Sequence, residues 1–218
     1  MTAAKPKRPK RPAAREPSER EKTPGLRIIG GRFRGRKLQY SGDLRTRPMK
    51  DRVREAVFNL LGPAVRQKHA IDLFAGTGAL GLEALSRGAA RATFVEQHYP
   101  TAEIIRRNAD TLGVTPLCQV VTGNTFLWLR RQPDLGTAPW LVFCSPPFDF
   151  YVERLDEMLL LISTLMETAP PASQFVVEAD ERFSLDLLPR ADAWEVRPYL
   201  PAVIALCRNV DARTAQNP

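Results

Sequence analysis

The sequence predicts an α/β fold of the Rossmann-like kind, a mostly parallel sheet with helices packed on it, and three observations carry that reading. A short apolar run, His69 to Phe74, ends in Ala75-Gly76-Thr77-Gly78-Ala79-Leu80-Gly81, after which Leu82 and Leu85 recur at helical spacing. A second apolar strand, Ala92 to Val95, ends in Glu96, 20 positions beyond Gly76. The chain is 218 residues long, with 44% hydrophobic and 26% charged residues, enough for one α/β unit with a full core and ordinary for a globular protein.

In chain order, the first element is a basic tail. Residues 1 to 24 hold eight Lys/Arg against three Glu and are expected to be disordered. Residues 25 to 54 hold ten Lys/Arg against Asp43 and Asp51, a net +8, while residues 55 to 218 are acidic at −5. A surplus confined to one quarter of a chain is the footprint of a polyanion partner more than of a need for solubility. Leu26 to Tyr40, with Ile28-Ile29-Gly30-Gly31, Phe33 and Leu38 among arginines, predicts a β-hairpin. Arg45 to Leu61 predicts a helix with Pro48 in its first turn and Met49, Val53, Val57, Leu60 and Leu61 on its apolar stripe. Lys50 and Arg54 then share a face outside that stripe. Residues 25–61 are thus expected to form a nucleic-acid-binding hairpin and helix, and 62–210 the ligand-binding domain.

The glycine turn lets the backbone approach a ligand, and the acid at the end of the next strand can accept both hydroxyls of a ribose. A dinucleotide site would use the same features. Asp72, inside the strand and four residues before Gly76, separates the two readings. A carboxylate there can receive the ammonium of a methionine moiety, whereas a pyrophosphate has no use for it. The pattern therefore favours S-adenosylmethionine over a nicotinamide cofactor.

Downstream, Gln119 to Val121 and Trp140 to Cys144 read as the third and fourth strands. The latter runs into Ser145-Pro146-Pro147-Phe148, where two prolines fix a rigid extended loop over the sheet edge. Met158 to Met166 is too short and too interrupted to span a bilayer and reads as a core helix. No secretory signal is visible, so the cytoplasm is the expected address. Cys118, Cys144 and Cys207 are far apart, and two histidines with no C-x-x-C pair exclude a metal cluster by spacing.

These motifs together closely resemble the RsmD-like family of bacterial 16S ribosomal RNA guanine-N2 methyltransferases. The resemblance runs from Arg27 to about Arg208 and is most specific at RIIGGRFRGRKL (Arg27 to Leu38), RTRPMKDRVREAVFNLL (Arg45 to Leu61) and DLFAGTGALGLEALSRGA (Asp72 to Ala89). It implies a class I methyltransferase sheet of seven strands, mostly parallel with an antiparallel last strand; Phe175 to Glu178, Trp194 to Arg197 and Val203 to Cys207 could complete it. It implies Asp72, Phe74, Gly76, Gly78, Glu96, Gln97 and Asn124 for the cofactor, Asn124 near the adenine. For RNA it implies Arg32, Arg34, Arg36, Arg47, Lys50 and Arg54. For catalysis it implies Ser145, Pro146, Pro147 and Phe148. The chain departs from the family at Ser145, where an Asp or Asn is expected, and at Gln97-His98, where an acidic residue often follows the motif's Glu.

The mechanism so implied is direct methyl transfer to a guanine taken out of its stack, with no metal and no covalent enzyme intermediate. The expected partner is 16S rRNA or an assembling small ribosomal subunit, approached by a monomer without membrane contact. Two other readings stay open at this level: an RNA-binding relative weakened in turnover by Ser145, and a methyltransferase acting on DNA or protein.

Overall fold

The computed structural model describes residues 25–40 and 49–208. The basic tail 1–24, Arg45, Arg47 and Pro48 lie outside the described residues. Seven strands form one sheet: β1 (His69–Asp72), β2 (Arg91–Glu96), β3 (Cys118–Thr122), β4 (Trp140–Cys144), β5 (Gln174–Asp180), β6 (Trp194–Tyr199) and β7 (Ala202–Cys207), in the order β3-β2-β1-β4-β5-β7-β6. β1 to β5 pair in parallel, and β7 runs antiparallel to both β5 and β6. The mostly parallel seven-stranded sheet with a reversed last strand is therefore present. The strand order changes direction between β1 and β4, and ligands of open α/β sheets bind outside the carboxyl ends at such a point.

Among the described residues six α-helices flank the sheet: α1 (Asp51–Leu61), α2 (Ala79–Ser86), α3 (Tyr99–Thr111), α4 (Thr125–Arg130), α5 (Phe150–Glu153) and α6 (Leu155–Thr168). Two apolar clusters result. One joins α1, α2 and α3 to Ala70, Phe94, Leu141, Phe143 and Val176. The other joins α6 to Ile71, Leu73, Val142, Cys144, Val177 and Ala205 on the opposite face. Alternation along the strands sorts these residues between faces. By the same alternation Asp72, Ser145 and Glu178 belong to the α1–α3 face, all at the carboxyl edge.

The glycines explain how strand and helix meet. Gly78 caps α2 in the left-handed region (φ +75°), which an L side chain enters only under strain. Gly81 packs α2 onto β2 so closely that an added Cβ would stand 2.3 Å from the Phe94 ring.

The amino-terminal segment departs from one expectation. Leu26 to Leu38 does double back, with Ile28 donating to Arg36 (2.9 Å) and Leu38 to Leu26 (2.8 Å), yet its ladder shrinks to one antiparallel bridge, Arg27 with Lys37. A 3₁₀ turn at Gly31–Phe33 makes the reversal, because Ile28 and Leu38 are drawn into the core instead of a regular ladder. The helix runs from Asp51, with Lys50 extended (ψ 142°) before its first turn; the part of the expectation that falls on Arg45 to Pro48 lies outside the described residues.

A buried carboxylate secures this segment. Glu83 of α2 is 0% exposed; its two oxygens accept the amides of Ile29 and Gly30, each at 2.7 Å, and Arg87 donates to it at 2.8 Å. Ser86 completes the clamp, donating to the Gly30 carbonyl (2.6 Å) and accepting the Phe33 amide (3.0 Å).

Candidate active site

Asp72 ends β1 at 1% exposure. One oxygen accepts the Gly81 amide at 3.3 Å, and the other, Oδ1, has no partner among the described residues. Burial raises its pKa to about 7; the Gly81 amide pulls the other way, and the Glu96 charge adds to the rise. A buried acceptor left open costs free energy unless a donor arrives, so this atom is able to accept a hydrogen bond from a ligand's donor, best a cationic one.

Glu96, at the end of β2, is held by the turn it faces. One oxygen accepts the Gly76 amide and the other the His98 amide, each at 2.8 Å. Each carboxylate oxygen keeps a second lone pair, so a fixed diol acceptor results. Phe74 is half-buried and meets Phe126 and Phe150 edge-on, with ring centroids 6.1 and 6.0 Å apart. Gln97 is exposed just beyond Glu96. Asn124 caps α4, accepting the Leu127 amide at 3.1 Å. These six positions and Gly78 all lie along the carboxyl edge of β1, β2 and β3.

The Ser145–Phe148 loop leaves β4 beside this cluster, because Phe143 pairs with Asp72 and its carbonyl accepts the Leu73 amide at 3.0 Å. Pro146 is buried, Pro147 exposed and Phe148 half-exposed. The carbonyls of Pro147 and Phe148 accept the amides of Phe150 and Tyr151. The Pro146 carbonyl accepts no amide among the described residues. Ser145 Oγ donates to Glu178 of β5, a residue the sequence reading used only as part of a strand. Its signal was present: a lone acid in the apolar run Phe175 to Ala179.

Of the basic residues, Arg32, Arg34, Arg36 and Lys50 are exposed. Arg32 lies 4.4 Å over the Phe33 ring, and Arg36 donates to the Thr111 carbonyl. Arg54 is a correction. It is 0% exposed, and its guanidinium donates to the carbonyls of Arg27 (2.6 Å) and Met49 (3.2 Å) and pairs with Asp51 (2.9 Å). It ties the amino-terminal segment to α1 and offers nothing to a phosphate. Arg47 lies outside the described residues. Among the described residues no cluster of three potential metal ligands exists, and no helix is long and apolar enough to cross a membrane.

The sheet order and the carboxyl-edge site define a Rossmann-like class I methyltransferase fold. Within that class, the chain belongs to the family described as conserved hypothetical protein 95, which matches residues 26–195 and is the RsmD family. It is 44% identical over 123 residues to ribosomal RNA small subunit methyltransferase D of Escherichia coli strain K12, covering 56% of this chain and 60% of that one. The Haemophilus influenzae protein of that name is 40% identical over 125 residues, 57% of this chain and 65% of its own. The chain thus spans less than two thirds of these curated relatives. The solved structure of yhhF from Escherichia coli superposes with a TM-score of 0.69 at 32% identity, covering 86% of this chain and 99% of that one. An RNA methyltransferase from Salinibacter ruber, solved with S-adenosyl-L-homocysteine, shares the fold (TM-score 0.55, 19% identity, 74% of this chain and 93% of that one).

Proposed function

We propose that this chain uses S-adenosylmethionine to methylate the exocyclic N2 amine of a guanine in 16S ribosomal RNA. The observation that carries the reading is the buried, unpartnered Asp72 Oδ1 beside a glycine turn and a fixed diol acceptor. That donor set fits the cofactor: Asp72 takes the ammonium, Gly76 and Gly78 admit the backbone, Glu96 takes the ribose hydroxyls, and Asn124 borders the adenine, with Phe74 and Gln97 completing the pocket. Bound there, the cofactor supplies an electrophilic methyl group. The nature of the substrate rests on the relatives' names and on the exposed basic face; the guanine amine rests on the family resemblance.

The chain's own groups then orient the nucleophile. Phe148 stacks on the extruded base, the Pro146 carbonyl accepts one amine hydrogen, and Ser145 Oγ accepts the other. The nitrogen lone pair is left pointing at the methyl, and orientation of this kind reaches effective molarities on the order of 10⁵ M. The direct test is incubation with labelled S-adenosylmethionine and unmodified small-subunit RNA or particles, followed by mapping of the label. Label on a guanine amine is the expected result. RNA and cofactor binding without label would favour an RNA-binding relative that has lost turnover at Ser145.

Two further outcomes follow. Glu96→Ala removes charged hydrogen bonds to the ribose, so affinity for S-adenosylmethionine and its demethylated product should fall about ten- to a hundredfold, corresponding to roughly 1.5 to 3 kcal/mol. Calorimetry giving equal affinities for variant and parent would remove Glu96 from the site. Charge reversal at Arg32, Arg34, Arg36 or Lys50 should flatten the salt dependence of RNA binding by a log-log slope of about 0.7 to 0.9 per lost phosphate contact. Cofactor affinity should not move. Salt titrations with parental slopes would separate this face from the RNA footprint.

A further inference from the structure

This chain has Ser145 where the family it resembles implies an Asp or Asn, and a carboxylate, Glu178, stands beside it on the neighbouring strand. β4 and β5 pair with Cys144 opposite Val177, so the next residues, Ser145 and Glu178, stand side by side at the carboxyl edge and on the same face as Asp72. Glu178 is 8% exposed and accepts the Ser145 hydroxyl. No other side-chain donor reaches its carboxylate among the described residues.

We propose that Glu178 is the proton acceptor of this site and works through Ser145, whose hydroxyl relays the proton from the substrate amine. The inference rests on the methyltransferase reading above and deepens it. Because the hydroxyl hydrogen is committed to Glu178, the lone pairs of Oγ are free to accept an amine hydrogen. As the bond between nitrogen and the methyl carbon forms, the bond between sulfur and that carbon breaks and sulfur keeps its electron pair. The nitrogen gives one proton to Oγ, Oγ passes its own to Glu178, and the carboxylic acid so formed returns a proton to water. Neutral serine thereby acts with a carboxylate behind it, which a hydroxyl alone could not do.

The surroundings suit the role. Burial raises the Glu178 carboxyl above its ordinary range, with the Ser145 hydrogen bond working against the rise. From α5 the Tyr151 phenol lies within electrostatic reach of it; burial pushes that phenol well up, so it stays neutral at working pH. β7 places the apolar Ile204 opposite it. Asp180, two residues on, is paired with Arg182 at 2.8 Å. A base with a raised proton affinity is the better proton acceptor near neutrality.

The test uses the full chain with labelled S-adenosylmethionine and unmodified small-subunit RNA. Glu178→Gln keeps size and burial but removes the base, so the single-turnover rate should fall about a hundredfold while RNA and cofactor affinities and the melting temperature stay at parental values. Ser145→Asp in the Glu178→Gln background, which returns a carboxylate to the loop, should recover much of that loss. A second readout needs no turnover: with ¹³C-labelled glutamate, the Glu178 signal, assigned by its absence in Glu178→Gln, should titrate above the ordinary glutamate range and move higher still in Ser145→Ala. An active parent whose rate survives Glu178→Gln overturns the inference alone, as does a Glu178 signal indifferent to Ser145→Ala. A parent that binds RNA and cofactor but transfers no methyl overturns the methyltransferase reading and the inference with it.

Discussion

Affinity for S-adenosylmethionine should fall about tenfold for each pH unit below 7, because the ammonium must displace a proton from Asp72. The buried carboxyl titrates at about 7 in the free protein against 3.8 for an ordinary aspartate. Between those values the unliganded protein holds Asp72 neutral, whereas the bound cation requires it ionised. Binding at pH 5.5 should therefore release close to one proton and be more than tenfold weaker than at pH 7.5. Calorimetry in buffers of differing ionisation enthalpy measures both. Linkage gives the opposite sign for stability: the unfolded chain ionises Asp72 first, so the free protein loses stability as pH rises from about 4 to 7. Asp72→Asn should remove both dependences. Equal affinities at the two pH values, with no proton released, would contradict the assignment of the ammonium to Asp72.

Glu83→Leu should destabilise the fold by about 3 to 5 kcal/mol, because it leaves the amides of Ile29 and Gly30 and the charge of Arg87 without their buried partner. In a chain of this size the melting temperature should drop on the order of 10 °C. RNA affinity should fall with it, as the arm carrying Arg32, Arg34 and Arg36 loses its anchor, while the same arginines remain in the chain. A melting temperature within a degree or so of the parent's would show that the arm docks by its apolar residues Ile28 and Leu38 alone.

The glycine turn, Asp72 and Glu96 were legible in the sequence because the information is local. An apolar run, three glycines and an acid at the next strand's end specify strand, turn, helix and strand without knowledge of anything distant. The partnership of Ser145 with Glu178 was not legible, since it depends on β4 and β5 being neighbours and on their register. Arg54 was misread for a related reason. Apolar periodicity marks which positions carry carbon, and a guanidinium between two backbone carbonyls and Asp51 can be buried on the same helix without disturbing that pattern. Glu83 did leave a trace, as the one charged residue within Ala79–Ser86, all of which is buried. The hairpin was half right: glycines and β-branched residues predict the reversal, but the pull of Ile28 and Leu38 into the core decides how little ladder survives.

α2 acts as a ruler between the arm and the glycine turn. Its first residue follows the turn at Gly78 and its last, Ser86, holds the arm, so eight residues, about 12 Å of helix, fix how far the arm's reversal stands from the cofactor turn. One residue inserted between them would rotate the clamp about 100° around the helix axis and aim Glu83 away from Ile29 and Gly30. Substitution can tune either end, but length cannot drift: each added or lost residue turns the arm's clamp relative to the glycine turn.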